Sequence, residues 1–168
     1  GVLVLNFPGN PTGYTPTTNE LKPWLDAIRS STKPITVICD DAYAGYVYEE
    51  GLHTRSVFFD LADAPTETVL TAKVDGATKE LCFFGGRVGF VTFGAEGLAA
   101  DALELKIKGM ARASVSSGCS TSQAMVLSAL NNPDLQSQQD AVLETSRERY
   151  LCLKNALNAA GLPSSPFN

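Results

Sequence analysis

In Ile35-Thr36-Val37-Ile38-Cys39-Asp40-Asp41-Ala42-Tyr43, an apolar run leads directly into two aspartates. β-Branched and apolar residues in such a run predict a buried strand. The strand should end at the aspartates. In open α/β sheets, ligands bind beyond the carboxyl ends of the strands. The residues from Asp40 to Tyr43 are therefore candidates for a functional site.

Three further segments have the character of strands, namely residues 1–5, 69–74 and 87–93. The first leads to Asn10-Pro11-Thr12-Gly13, and the segment 69–74 leads to Asp75-Gly76-Ala77-Thr78-Lys79. If these strands are parallel, their carboxyl ends lie at one edge of the sheet. Asparagine, aspartate, tyrosine and lysine side chains would then converge there.

Helical patterns fill most of the remaining chain. Thr17 and Glu20 form a capping-box signature that predicts a helix ending near residues 30–34. Later helices are expected over residues 96–112, about 120–130 and 133–160. Strands that alternate with helices predict an α/β fold, with a mostly parallel sheet, flanking helices and a helical extension.

Composition excludes several classes of protein. The net charge of −5 argues against a nucleic-acid partner, since phosphate recognition needs a basic face. No apolar run reaches the roughly 18 residues of a membrane span. The four cysteines form no CxxC pair, so we expect free thiols, mostly buried, in a reducing compartment. His53 is the only histidine, which disfavours catalytic triads and most zinc sites. We expect it to lie in a surface loop.

The candidate residues suit one kind of covalent chemistry. The amine of Lys79 can condense with a carbonyl group. The carboxylate of Asp40 could hold a pyridine nitrogen protonated, which makes the ring an electron sink. Tyr43 and Asn10 could contact a ring hydroxyl, and the guanidinium of Arg87, eight positions after Lys79, suits a phosphate.

These motifs, taken in order, resemble the class I/II aminotransferases of fold type I. The resemblance consists of N-P-T-G at 10–13, D-x-A-Y at 40–43, and a lysine followed eight residues later by G-R-x-G at 86–89. It implies that residues 1–162 are part of the large, cofactor-binding domain of a fold type I transferase. Residues 163–168 would begin a small C-terminal domain. The sequence lacks an initiator methionine, and we expect it to be an internal piece of a longer protein.

The resemblance also implies a role for each candidate residue. Lys79 would form the Schiff base with pyridoxal 5'-phosphate, and Asp40 would pair with the pyridine nitrogen; these two are the implied catalytic residues. Tyr43 and Asn10 would bind the ring hydroxyl, and Arg87 the phosphate. Members often carry a serine three positions before the lysine. Here that position is Gly76, so Thr78 is a further phosphate-binding candidate.

The activity implied is transfer of an amino group between an amino acid and a 2-oxo acid, by a cytoplasmic homodimer. The fragment alone is expected to be inactive, because parts of the site lie outside it. Other enzymes on the same scaffold remain open, such as a C–S lyase, a decarboxylase or a cyclopropane-carboxylate synthase. A ligand-sensing domain of a transcription regulator and a paralogue that serves only assembly also remain open.

Overall fold

A computed structural model of the chain describes residues 1–162. Its centre is a four-stranded sheet in the order β1 (Val2–Asn6), β2 (Ile35–Asp40), β3 (Val69–Gly76) and β4 (Gly89–Phe93). The first three strands are parallel, and β4 runs antiparallel to β3. The predicted mostly parallel sheet is confirmed. The expected start of a second domain at residues 163–168 lies outside the described residues.

Six α-helices accompany the sheet in the described part of the chain. They are α1 (Thr18–Arg29), α2 (Val57–Ala62), α3 (Ala77–Glu80), α4 (Gly97–Ser114), α5 (Ser120–Leu130) and α6 (Leu135–Ala159). A short 3-10 turn covers Phe84–Gly86. The four predicted helices are confirmed with small shifts at their ends. The short helices α2 and α3 were not expected from the sequence, because neither is long enough to show a helical period.

Parallel register brings the ends of three strands together. Asn6 pairs with Asp40, and Asp40 pairs with Val74 across the sheet. The three segments that follow β1, β2 and β3 therefore leave the sheet at the same edge. The first three strands are parallel, as the predicted convergence of these three segments required.

The core lies between one face of this sheet and helices α1 and α2. Leu21, Leu25 and Ile28 occupy one side of α1 and are buried. They pack with α2 and the sheet in a single cluster, whose other members are Leu5, Val37, Cys39, Val57, Phe58 and Leu61. Burial of each large side chain contributes about 1.5–3 kcal/mol. This packing holds β1 and β2, and hence the polar segments at their ends.

The expectation for the cysteines was partly wrong. All four are free, but only Cys39 is buried, whereas Cys82, Cys119 and Cys152 are exposed. Cys119 and Cys152 belong to the helical second half of the chain, whose side chains are mostly exposed. Burial raises the pKa of Cys39 to about 12, so this thiol stays neutral.

His53 lies in a loop, as expected, but its side chain is mostly buried rather than at the surface. Its Nε2 lies 2.8 Å from Oδ2 of Asp60, and its side chain is only 13% exposed. Among residues 1–162, no group of histidine, cysteine and acidic side chains could hold a metal ion. None of the helices in that range is long and apolar enough to cross a membrane.

Candidate active site

A cleft of about 310 Å³ opens at the carboxyl ends of β2 and β3. Four of the six residues singled out from the sequence line it: Asp40, Thr78, Lys79 and Arg87. They come from three different places in the chain, so the sheet topology is what brings them together. A half-buried carboxylate, an amine and a guanidinium thus share one concave surface.

Lys79 owes its position to the junction between β3 and α3. The strand ends at Gly76, and Ala77, the first helical residue, is fully buried. The Ala77 N–H donates to the carbonyl of Val88, 3.1 Å away, which ties the helix start to the approach to β4. From this anchored turn the Lys79 side chain extends over the ring of Tyr43, with Nζ 5.0 Å from the ring centroid.

Asp40 is the last residue of β2, and its own surroundings orient it. Its Oδ1 accepts a hydrogen bond from the Ala42 N–H at 3.2 Å. Its backbone carbonyl accepts one from Nδ2 of Asn6 at 3.1 Å. Oδ1 of Asn6 in turn accepts the N–H of Asn10 at 2.7 Å. Asn6 therefore joins the N-P-T-G segment to the end of β2.

The sequence reasoning missed this role of Asn6. The available signal was a polar residue at the end of an apolar strand, directly before the proline-rich loop. Its significance depends on the register that sets Asn6 beside Asp40.

Asn10 does not line the lysine cleft. It lies in a neighbouring cleft of about 300 Å³, together with Tyr43, Tyr46 and Tyr48. Tyr43 connects the two clefts, since its ring also lies against the Lys79 amine. The structure thus places four of the five other candidates around Lys79, three in its cleft and Tyr43 by contact, whereas Asn10 lies in the adjacent cleft.

Arg87 follows the 3-10 turn in a left-handed backbone conformation, with φ of 52°. Its Nη1 approaches the Phe84 carbonyl at 3.4 Å, and the residue is exposed. Within residues 1–162 its guanidinium forms no ion pair with a carboxylate. Guanidinium groups bind phosphate oxygens through paired N–H donors. Arg87 is therefore available to an anion at the cleft.

The structure explains why position 76 is occupied by glycine. A Cβ on Gly76 would lie 2.8 Å from the carbonyl oxygen of Val88, where β3 and β4 pair. A serine at this position would collide with backbone, so its hydroxyl cannot be supplied from here. Thr78, which lines the same cleft, is the hydroxyl next to Lys79.

Asp41 differs sharply from its neighbour Asp40. It is 6% exposed and buried, and its Oδ2 lacks a hydrogen-bond partner among the described residues. Burial raises the pKa of the Asp41 carboxyl, while a hydrogen bond with Ser56 and the charge of Lys73 act in the opposite direction. Asp41 does not line the cleft, whereas Asp40 and Asp75 do. Asp75 is paired with Lys73, so Asp40 is the carboxylate available there.

Comparison with known proteins adds evidence on the family of this chain. The family profile described as aminotransferase class I and II matches residues 1–166. A probable aspartate/prephenate aminotransferase from Rickettsia bellii is 30% identical over 152 residues, which are 90% of this chain and 35% of that protein. The chain therefore spans about a third of the length of this relative.

Two solved structures show the same arrangement of elements. An aminotransferase from Anaerococcus prevotii superposes with a TM-score of 0.77 at 20% identity, covering 99% of this chain and 42% of that one. A mutant of Thermus thermophilus aspartate aminotransferase in complex with tryptophan gives 0.68 at 26% identity, with 96% and 38% covered. The matched part corresponds to the fold type I large domain.

The cofactor of this family is pyridoxal phosphate. Its aldehyde reacts with an amine, its pyridine nitrogen pairs with a carboxylate, and its phosphate binds a guanidinium group. Lys79, Asp40 and Arg87 supply these three groups in one cleft, so the residues present fit the cofactor. Sequence, fold and site lead to the same result: this chain belongs to the aminotransferase class I and II family.

Proposed function

We propose that the full-length protein transfers an amino group from an amino acid to a 2-oxo acid, and that this chain supplies the cradle for pyridoxal phosphate. The observation that carries the proposal is the shared cleft of Lys79, Asp40 and Arg87 at the carboxyl ends of β2 and β3. Ligands of open α/β sheets bind at this location. The family match supports the same reaction class.

Each residue in the cleft has a defined task. Bound pyridoxal phosphate supplies the electron sink that stabilises charge at the substrate α-carbon. The Lys79 amine would bind the cofactor carbonyl and, when released, would move the α-carbon proton. Asp40 holds a proton at the ring nitrogen, and Arg87 binds phosphate oxygens. These roles explain why a base, an acid partner and an anion site occur together.

The remaining candidates orient the ring. Tyr43 presents its phenol beside the Lys79 amine, and we assign it to the ring hydroxyl. Asn10, in the adjacent cleft, is assigned to the same hydroxyl from the other side. Thr78 adds a hydroxyl for the phosphate next to Lys79.

We further propose that the full-length protein is a cytoplasmic homodimer. Helix α4 contains no buried residue, and Leu98, Leu105 and Met110 along it are all exposed. Such an apolar surface suits an interface with other parts of the protein or with a second copy. Four free cysteines are typical of a reducing compartment.

The decisive test is Lys79→Ala in the full-length protein, with the exposed Lys106→Ala on α4 as the matched control. Borohydride reduction after addition of pyridoxal phosphate should fix the cofactor on the peptide that contains Lys79, as located by mass spectrometry. Lys79→Ala should lose both this adduct and turnover, because no other amine lines the cleft among the described residues. Lys106→Ala should retain both. Retention of adduct and turnover in Lys79→Ala would contradict the proposal.

Product analysis separates amino transfer from other reactions of the same scaffold. With an amino acid and a 2-oxo acid present, we expect a new 2-oxo acid and a new amino acid in equal amounts. Release of thiol, ammonia or carbon dioxide would assign the cradle to a lyase or decarboxylase. Cofactor attachment without any turnover would assign it to ligand sensing.

A further inference from the structure

We infer that Tyr46 is a positioning residue for Lys79: its hydroxyl fixes the Lys79 backbone so that the amine lies over the ring of Tyr43. The inference rests on the proposed function of Lys79. It concerns a residue that no family motif in the sequence singles out, three positions beyond Tyr43.

The main observation is one hydrogen bond between distant parts of the chain. The Tyr46 hydroxyl donates to the backbone carbonyl of Lys79 at 3.0 Å, across 33 residues of sequence. The same carbonyl also accepts the N–H of Cys82 at 3.3 Å, within the local turn. A carbonyl oxygen has two lone pairs and can accept both. Of these two hydrogen bonds, the one from Tyr46 joins Lys79 to another segment of the chain.

The ring of Tyr46 is also linked to the Lys79 amine, through the ring of Tyr43. It packs edge-on against Tyr43, with ring centroids 6.3 Å apart and an interplanar angle of 79°. Nζ of Lys79 in turn lies 5.0 Å from the centroid of the Tyr43 ring. Aromatic pairs and cation–ring contacts of this kind each favour one geometry. Tyr46 therefore contacts the backbone of Lys79 directly and its amine through Tyr43.

Helix α3 needs such an external restraint. It has only four residues, and its N-cap Gly76 provides no side-chain hydrogen bond. Cys82, shortly after it, has a positive φ of 51°. A single helical turn is not stable by itself, because ordering its residues costs more free energy than its hydrogen bond provides. The bond from Tyr46 supplies a contact that the helix cannot make internally.

The segment that carries Tyr46 is itself anchored. The ring of Tyr48 lies 5.3 Å from that of Tyr150 on α6. The Tyr150 hydroxyl donates to Glu49 at 2.5 Å, and Lys154 pairs with the same carboxylate. Burial raises the pKa of the Tyr46 hydroxyl, which therefore remains a protonated donor at neutral pH. Because both the donor and its segment are fixed, Tyr46 can hold the backbone of Lys79 in one position.

The test is Tyr46→Phe in the full-length protein, which keeps the ring and removes only the hydroxyl. We expect kcat to fall about three- to ten-fold while KM for the amino acid stays within about two-fold, the effect of one lost hydrogen bond on positioning. The rate of covalent cofactor attachment to the cofactor-free protein should fall by a similar factor. Without cofactor, hydrogen exchange of the amides of residues 81–83, which donate to Ala77 and Lys79, should accelerate.

Tyr14→Phe is the matched control, since it removes a phenol hydroxyl that interacts with Glu20 rather than with Lys79. It should leave kcat and the attachment rate close to wild type. Wild-type values in Tyr46→Phe, or an equal loss in Tyr14→Phe, would overturn the inference while leaving the proposed function intact. If the wild-type protein attaches no cofactor at Lys79, the proposed function and the inference both fail.

Discussion

At the residue scale, two adjacent carboxylates at the end of β2 have different surroundings. Asp40 is half-buried and lines the cleft, with Oδ1 held by the N–H of Ala42. Asp41 is buried outside the cleft, and burial raises the pKa of its carboxyl. Only the first can present a carboxylate to a ligand. The structure thereby separates two residues that are chemically identical in the sequence.

We expect Asp40→Asn in the full-length protein to retain cofactor but to lower kcat about 10- to 100-fold, because a charge-assisted hydrogen bond is lost. Asp41→Asn is the matched control and should keep kcat within about two-fold. Steady-state kinetics of the two variants provide the comparison. A larger loss of kcat in Asp41→Asn than in Asp40→Asn would reverse the assignment.

At the element scale, the entry of α1 shows how local chemistry places an element. The Glu20 N–H donates to the Thr17 hydroxyl at 3.2 Å, and the Thr17 N–H donates to the Glu20 carboxylate at 2.8 Å. This reciprocal pair satisfies donors that every helix start leaves open. It lies near the N-P-T-G segment and also directs α1 onto the sheet, where Leu21 and Leu25 are buried.

Thr17→Ala should lower the free energy of unfolding by about 1 kcal/mol, because the cap hydroxyl is lost. Thr18→Ala, one residue inside the helix, is the control and should change it by less than about 0.5 kcal/mol. Urea denaturation followed by circular dichroism measures both. Equal changes in the two variants would show that the capping box does not stabilise α1.

At the scale of the whole molecule, stability is distributed unevenly. The buried core lies around β1, β2, α1 and α2. By contrast, none of the 18 residues of α4 is buried. The chain covers 35% of its Rickettsia bellii relative. Contacts from the rest of a full-length protein are therefore expected to order this helix in its final position.

In the chain of residues 1–168 alone, the amides of α4 should exchange with solvent far faster than those of β2, because helices without packing are marginally stable. In the full-length protein the α4 amides should become protected. Hydrogen exchange with mass spectrometry compares the two forms. Strong protection of α4 in the chain alone would contradict the expectation.

Much of this organisation could be predicted from local pattern. The β-branched run before Asp40 predicts β2, and the Thr17–Glu20 pair predicts the start of α1. The order of Asn10, Asp40 and Lys79 after successive strands indicates one sheet edge. Hydrophobic periodicity and caps act within a few residues of one another, so they are visible in the sequence.

The pairing of distant residues could not be predicted from local sequence patterns. The hydrogen bond from Tyr46 to Lys79 spans 33 positions, and His53 contacts Asp60 in α2. The difference between Asp40 and Asp41 depends on which of them faces the cleft. Such contacts follow from strand register and from the packing of helices on the sheet, which no local period encodes. Local sequence patterns therefore indicate which chemistry we propose for this chain, and packing determines which side chains contact Lys79.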